Sequence, residues 1–181
     1  MSQFTIDNNW TLFLDRDGVI NHELHLSYVN TWDDFTFYDG VKDAFKIFAA
    51  QFKYIFIITN QRGVGRGITK LENLHIIHQN MTKEIVVGGG RIDGIYFCPD
   101  VELDSPNRKP NAGMALQAKK DFPAIDFTKS IMVGNNISDI EFGRTIGAKT
   151  VFLATTTPEI ALAHKHIDAV YNSLYNFAKA L

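Results

Sequence analysis

The sequence lacks most features that mark secreted, membrane and nucleic-acid-binding proteins. It has one cysteine, Cys98, which excludes an intramolecular disulfide and is typical of a reducing compartment. No apolar run approaches the roughly 20 residues that a membrane-spanning helix needs. The opening stretch "MSQFTIDNNW" has neither a basic nor an apolar segment, so no signal peptide is expected. The net charge of −2 gives no indication of a nucleic-acid-binding surface. We therefore expect a cytoplasmic protein with no nucleic-acid or membrane partner.

The chain does have the size and composition of one globular domain. Of its 181 residues, 45% are hydrophobic and 21% are charged, which are ordinary values for a protein with a substantial core. It shows no internal repeat, linker or low-complexity segment. We expect a single domain over residues 1–181 that acts as a monomer.

Apolar runs alternate with helical patterns along the chain. The runs predict strands at 11–14, 54–59, 92–98, 130–134 and 150–155, and a last edge strand at 169–171. Helices are predicted at 40–52, 69–87, 112–122, from about 138 to 147, at Pro158 and within 173–181. Because the strands are continuously apolar and each is followed by a helix, we expect a parallel sheet covered by helices on both faces.

Two of these helices have a predicted start signal. Thr69 with Glu72, and Ser138 with Glu141, have the spacing of a capping box, in which each side chain bonds the other residue's backbone N–H. Both pairs are therefore expected to cap the helix that follows them.

Polar side chains follow the predicted strands, where parallel α/β folds place their reactive groups. Carboxylates there can bind Mg²⁺, attack phosphorus or carry a proton, and a hydroxyl and a lysine can stabilise phosphoryl oxygens. The residues are Asp15 and Asp17; Thr59, Asn60 and Gln61; Lys109; and Asn135, Asn136 and Asp139. Together they predict Mg²⁺-dependent phosphoryl chemistry.

The same residues carry a resemblance to a known family. D-x-D-G after a strand, a strand-terminal Thr, a later Lys and an acidic cluster resemble the haloacid dehalogenase-like phosphatases over nearly the whole chain. "LDRDGVIN", "ITNQ" and "RKPNAGM" resemble the histidinol-phosphate and D-glycero-D-manno-heptose 1,7-bisphosphate phosphatases, and the first two forms favour the heptose branch. The resemblance implies a three-layer, Rossmann-like fold and hydrolysis of a sugar phosphate through an aspartyl-phosphate.

The resemblance also implies roles for individual residues. Asp15 is the expected nucleophile, and Asp17 the group that protonates the leaving oxygen and then activates water. Thr59 and Lys109 are expected to hold the phosphoryl oxygens. The full phosphate- and substrate-binding set is Arg16, Thr59, Asn60, Gln61, Arg66, Arg108 and Lys109, and the Mg²⁺ set is Asp15, Asp17 through its carbonyl, Asn135 and Asp139.

Asn135 departs from the family pattern, because that position usually supplies a metal-binding Asp. An amide oxygen can still bind Mg²⁺, but it brings no charge. We therefore expect weaker metal affinity than Asp would give, or direct metal binding by Asp139, without loss of catalysis.

The segment that holds zinc in many relatives also differs. Cys98 is present, but Asp100, Ser105 and Asn107 stand where those relatives have His, Cys and Cys. One thiolate and one carboxylate do not make the tetrahedral N/S site that structural zinc prefers, so no zinc is expected. Asp104 and Pro106 are then expected to hold the loop by turn chemistry.

The spacing of the motifs indicates how open the substrate site is. The stretch from Asp15 to Thr59 has room only for a loop, a helix and a strand, so no cap domain is expected and the site should be open. Arg62 and Arg66 in "QRGVGRG" are candidates for contact with a second phosphate. The loop after Asp17, with His22, Glu23, His25 and Tyr28, is a further candidate to cover the substrate.

The leading hypothesis is a phosphatase that acts on a heptose bisphosphate, and three alternatives stay open. A histidinol-phosphate phosphatase would favour an acidic wall at the site, for example Glu23 and Asp100. A catalytically weakened phosphosugar-binding protein would fit Asn135 but not the presence of both Asp15 and Asp17. A polynucleotide 3′-phosphatase is disfavoured because the sequence has no basic stripe.

Overall fold

The computed structural model describes residues 4–24, 26–157 and 165–181. Its strands are β1 Thr11–Leu14, β2 Tyr54–Asn60, β3 Gly94–Cys98, β4 Ser130–Gly134, β5 Lys149–Leu153 and β6 Ala169–Tyr171. Its helices are α1 Val41–Gln51, α2 Arg62–Gly65, α3 Leu71–Val87, α4 Gly113–Asp121, α5 Ile137–Thr145 and α6 Leu174–Lys179. Two short 3₁₀ helices lie at Trp32–Asp34 and Phe127–Lys129.

The strands form one parallel sheet in the order β3-β2-β1-β4-β5-β6. In its middle, Leu14 of β1 lies opposite Ile57 of β2 and Val133 of β4. The residue after Leu14 therefore emerges at the centre of the carboxyl edge, where ligands bind in open α/β sheets. The predicted parallel sheet is confirmed, including the edge strand β6.

Helices cover both faces of the sheet. Leu12 and Leu14 of β1 are buried in one core with residues of α1, α3 and α6. Phe13 points the other way, into a core with residues of α4 and α5. The predicted three-layer arrangement is confirmed, and burial on both faces explains why the strands are continuously apolar.

The connections between strands are short. Between β1 and β2 the chain forms a 3₁₀ helix and α1, and between β2 and β3 it forms α2 and α3. The described part of the chain therefore has no cap domain, as predicted. None of its helices is long and apolar enough to cross a membrane. That residues 1–181 as a whole form one domain stays a prediction.

The predicted cap of α3 is wrong. Lys70 is the N-cap residue of this helix, and it makes no side-chain capping bond. Thr69 Oγ1 instead donates to Asn30 Oδ1 at 2.6 Å. Thr69 therefore bonds to Asn30 in a distant loop and does not pair with Glu72.

The predicted cap of α5 is also wrong, by two residues. Asn136 and Asp139, not Ser138 and Glu141, form the capping box. An Asn side chain accepts a backbone N–H as well as Ser does, so both pairs had suitable chemistry. The predicted short helix at Pro158 lies outside the described residues.

Candidate active site

Asp15 lies at the centre of the carboxyl edge, directly after β1. Its backbone N–H donates to Val133 O at 3.0 Å, which continues the pairing with β4 beyond the last strand residue. Its side chain is 11% exposed. The carboxylate is therefore fixed at the floor of the site but can still be reached from outside.

Lys109 is the cation that faces this carboxylate. Its Nζ lies 2.8 Å from Asp15 Oδ1 and 2.6 Å from Asp139 Oδ1, and it donates to Ile58 O at 2.8 Å. Burial lowers the pKa of Lys109, but the charges of Asp139 and Asp15 outweigh it and hold the pKa above its ordinary value. The ammonium therefore stays charged although it is almost fully buried.

Asp15 holds its proton more tightly than an ordinary aspartate. Burial is the largest cause, and the charges of Asp139 and Asp17 act in the same direction. Lys109 opposes them, and the balance raises the pKa of Asp15 to about 7. An additional cation near this carboxylate would favour the ionised form that a nucleophile needs.

Both carboxylate oxygens of Asp139 contact other groups of the protein. Oδ1 pairs with Lys109, and Oδ2 accepts the backbone N–H of Asn136 at 3.0 Å. A Cβ at Gly134 would lie 2.1 Å from Asp139 Cβ, so a side chain there would displace this carboxylate. These contacts make Asp139 a positioning residue for Lys109. Its direct binding of a metal stays a prediction.

Asp17 accepts hydrogen bonds from three side chains. Arg16 Nη2 lies 2.8 Å from both of its carboxylate oxygens. Asn21 Nδ2 and Gln61 Nε2 each donate at 2.9 Å. Burial raises the pKa of Asp17, but Arg16 and the two amides outweigh it and bring the pKa below its ordinary value. Asp17 is thus ionised in the free protein.

Arg16 is almost fully buried and pairs with Asp17 at the edge of the cavity. It is 1% exposed, and Nη1 lies 3.3 Å from His78 Nε2. Burial and the charge of Arg16 lower the pKa of His78 to about 3, so its ring is neutral. In this arrangement Arg16 orients Asp17, and a direct contact between Arg16 and substrate stays a prediction.

The residues that end β2 connect the parts of the site. Gln61 Nε2 donates to Thr59 Oγ1 at 2.9 Å as well as to Asp17. The side chain of Asn60 pairs with the backbone of Lys109, accepting from its N–H at 3.0 Å and donating to its carbonyl at 3.3 Å. Asn60 therefore fixes the loop that carries Lys109, a role that the sequence pattern did not indicate.

Asn135 has an oxygen atom suited to a cation. The residue is fully buried, its Nδ2 donates to Thr156 Oγ1 at 2.8 Å, and its Oδ1 has no hydrogen-bond partner. A Cβ at Gly18, whose φ is +82°, would lie 2.1 Å from Asn135 Nδ2, so only glycine allows this approach. An unpaired amide oxygen at the same carboxyl edge as Asp15 fits Mg²⁺, which takes oxygen ligands.

The three carboxylates, Thr59 and Lys109 line one cavity of about 670 Å³ at the carboxyl edge of the sheet. Its wall also carries arginines and a tyrosine. Arg66 Nη1 donates to Tyr28 Oη at 3.1 Å. Burial raises the pKa of Tyr28, but a hydrogen bond and charge from Arg62 and the charge of Arg66 bring it below its ordinary value. The wall with Arg62, Arg66 and Arg108 is therefore positively charged.

The loop that replaces the zinc-binding segment is held by Ser105. Its hydroxyl donates to Asp100 Oδ2, and its carbonyl accepts from Asn111 Nδ2 at 2.8 Å. Arg108 Nη1 donates to the Asp100 carbonyl at 3.1 Å. In the described parts of the chain no three His, Cys, Asp or Glu side chains are grouped as metal ligands. The absence of zinc stays a prediction.

The chain is similar to proteins of one family over most of its length. The HAD-hydrolase-like family model matches residues 106–177. The D-glycero-alpha-D-manno-heptose-1,7-bisphosphate 7-phosphatase of Mycobacterium bovis is 34% identical over 96% of this chain and 92% of that protein. The protein of the same name from Campylobacter jejuni is 41% identical over 78% and 80% of the two chains.

The chain belongs to the haloacid dehalogenase-like phosphatases, in the family of the heptose bisphosphate phosphatases. A solved D,D-heptose 1,7-bisphosphate phosphatase from B. bronchiseptica, complexed with magnesium and phosphate, superposes with a TM-score of 0.84. It is 25% identical, and the match covers 94% of this chain and 96% of that one. The resemblance read from the sequence is confirmed at the level of this heptose bisphosphate phosphatase family.

Most of the predicted site residues lie together in the structure. Asp15, Asp17, Thr59 and Lys109 line one cavity, as expected from their positions after strands. His25 lies outside the described residues. The sequence indicates Glu23 as part of a covering loop or of an acidic wall, and in the structure its Oε2 accepts a hydrogen bond from Asn135 Nδ2. Nothing in the spacing of a heptose bisphosphate phosphatase sequence indicates that contact.

Proposed function

We propose that this protein is a Mg²⁺-dependent phosphatase that hydrolyses D-glycero-D-manno-heptose 1,7-bisphosphate through a phosphoryl group on Asp15. The main support for the proposal is the environment of Asp15. Asp15 is paired with a buried lysine at the end of the central strand, in a cavity that also holds Asp17. Relatives named as phosphatases of this bisphosphate, in both its alpha and beta forms, support the choice of substrate.

In the first step the Asp15 carboxylate attacks phosphorus, and the bond from phosphorus to the sugar oxygen breaks. Asp17 gives that oxygen its proton, so the sugar leaves as an alcohol. Asp17 is ionised in the free protein, and the negative phosphate beside it raises its proton affinity in the complex. Lys109 and Thr59 hold the phosphoryl oxygens during the transfer.

In the second step water attacks phosphorus and the bond to Asp15 breaks. The Asp17 carboxylate takes the proton of that water, which returns both aspartates to the states that they had in the substrate complex. Its three hydrogen-bond donors suit this step, because they stabilise the ionised form and hold the carboxylate in one orientation.

The residues that would hold Mg²⁺ are Asp15, the carbonyl of Asp17 and Asn135. A bound Mg²⁺ neutralises charge on the phosphoryl oxygens and keeps Asp15 ionised. The solved phosphatase from B. bronchiseptica, which is complexed with magnesium and phosphate, supports the choice of metal.

The wall of the cavity suits a second phosphate. Arg62, Arg66 and Arg108 line it together with Asp15, within about 670 Å³. Arginine binds phosphate through paired N–H groups, so these side chains can hold a phosphate beyond the one at Asp15. A substrate with a phosphate at each end therefore fits better than the cationic histidinol phosphate.

Phosphate release from both heptose bisphosphate anomers and from histidinol phosphate, with Mg²⁺, tests the proposal. We expect release from a heptose bisphosphate, and its loss in Asp15→Asn. Preference for histidinol phosphate would replace the proposed substrate. Mg²⁺ binding with no release from any compound would instead support the phosphosugar-binding alternative.

We further propose that the protein acts as a monomer in the cytoplasm, contains no zinc, and has a small phosphorylated sugar as its partner rather than nucleic acid or membrane. The net charge of −2 supports the absence of a nucleic-acid partner. The hydrogen bonds of Ser105 support a loop that needs no zinc.

A further inference from the structure

Asn135 stands where this family usually places a charged metal ligand, and a second carboxylate lies next to it. Glu23, from the loop after β1, has Oε2 3.3 Å from Asn135 Nδ2. Glu23 lines the same cavity as Asp15. The two residues are 112 positions apart in the chain, so the fold and not the local sequence brings them together.

The contacts of Asn135 determine which of its atoms can face a cation. Thr156 Oγ1 and Glu23 Oε2 both accept from Nδ2, which leaves the buried Oδ1 as the atom with no partner. Asn135 directly follows β4, the strand paired with β1, so it lies beside Asp15 at the carboxyl edge. A cation bound between them would have Glu23 just behind the amide.

We propose that Glu23 supplies, from behind Asn135, the negative charge that an Asp at position 135 would otherwise bring to the cation site. In this arrangement the negative charge comes from the loop after β1 and not from the residue after β4. The neutral amide of Asn135 still offers an oxygen ligand. This inference rests on the proposed function, because it requires Asp15 and Asn135 to hold Mg²⁺. It assigns Glu23 as a positioning and charge-supplying residue.

A carboxylate beside a bound cation adds attraction that depends on its charge and not only on its hydrogen bond. Glu23→Gln separates the two effects, because Gln keeps an oxygen that can accept from Asn135 Nδ2 but carries no charge. Asn135→Asp has the opposite effect and places two carboxylates side by side. The double variant Glu23→Gln/Asn135→Asp restores the total charge with the two positions exchanged.

The test is Mg²⁺ binding by calorimetry to the metal-free full chain, together with thermal denaturation without Mg²⁺. Glu23→Gln is expected to weaken Mg²⁺ binding about tenfold without lowering the melting temperature, and Asn135→Asp to strengthen binding about tenfold. The double variant is expected to bind as wild type does. Without Mg²⁺, Asn135→Asp is expected to melt lower than wild type, and adding Glu23→Gln to restore it, because like charges repel.

A matched control is Glu72→Gln, an exposed carboxylate of α3 that is not among the residues lining the cavity. It is expected to bind Mg²⁺ as wild type does. Wild-type affinity in Glu23→Gln, with Asp15→Asn still weakening binding, would overturn the inference and leave the proposed function standing. Wild-type affinity in Asp15→Asn would remove the cation site itself, and both proposals with it.

Discussion

Lys109 Nζ lies within 2.8 Å of the carboxylates of both Asp15 and Asp139, so one buried ammonium joins the loop before α4, the end of β1 and the start of α5. Such a group is expensive to bury unless it is fully paired. The pairing fixes the position of the ammonium beside the proposed nucleophile before any substrate arrives. We therefore expect catalysis and folding to depend on the same contact.

Replacing this lysine is expected to damage both properties. Lys109→Met should lower kcat at least about 100-fold, the usual effect of removing one group that stabilises the transition state. It should also destabilise the fold by about 3 kcal/mol, because buried Asp139 loses its partner. Steady-state kinetics and denaturant unfolding measure the two effects. Lys129→Met, which breaks an exposed pair with Asp7, should leave both the stability and kcat nearly unchanged.

The raised pKa of Asp15 predicts how pH affects the metal-free protein. The folded-state pKa of about 7 lies above the ordinary value of 3.8, so the folded protein binds the extra proton between these pH values. The contribution of Asp15 to stability is therefore present at low pH and is lost as pH rises towards 7. This is the reverse of an aspartate whose pKa is lowered by folding.

At the proposed Mg²⁺ site the metal would compete with that proton, so its effect on stability should grow with pH. Melting temperatures with and without Mg²⁺ should differ little at about pH 5 and clearly at about pH 8. In Asp15→Asn the Mg²⁺-induced shift should be small at both pH values. An equal Mg²⁺ effect at the two pH values in wild type would contradict the assignment of the raised pKa to the metal-binding carboxylate.

Asn60 is expected to act on catalysis only through the lysine loop. Asn60→Ala removes two hydrogen bonds to the backbone of Lys109, and should cost about 2 kcal/mol of stability. The less constrained lysine should also lower kcat by about tenfold, with little change in KM. The exposed Asn176→Ala is the control, and neither value should change there. A rise in KM with normal kcat would show instead that Asn60 contacts substrate.

The arginine wall should matter only for a substrate with two phosphates. Arg66→Ala is expected to raise KM for the heptose bisphosphate about tenfold, because a charged hydrogen bond is worth about 1.5 kcal/mol or more. A heptose 7-monophosphate, which lacks the second phosphate, should show no such rise. Comparing the two substrates in wild type and variant measures this difference. An equal loss for both would place Arg66 at the transferred phosphate.

The sequence was sufficient to predict the fold and the principal residues of the site, because both follow from local patterns. Continuous apolar runs identified the strands, and parallel strands bring their carboxyl ends together, so Asp15, Thr59 and Lys109 were expected in one place. Where two nearby residues could both cap a helix, the sequence did not decide between them. At the start of α5, Ser138 was the predicted capping residue, and Asn136 is the residue that caps the helix.

Contacts between distant side chains could not be predicted in this way. The pairing of Arg16 with His78 spans 62 positions, and that of Glu23 with Asn135 spans 112. Each depends on how a loop or helix packs over the sheet edge, which no periodicity or spacing encodes. These contacts decide the orientation of Asp17 and the charge around Asn135, and they therefore required the structure.

The most direct test of the account is to look for the phosphoryl group on Asp15 itself. The protein is quenched with acid during turnover of a heptose bisphosphate with Mg²⁺, and its peptides are analysed by mass spectrometry. We expect phosphate on the peptide that contains Asp15 in wild type, and neither this species nor phosphate release in Asp15→Asn. Sustained phosphate release by Asp15→Asn, or wild-type turnover with the phosphoryl group on another residue, would contradict the account.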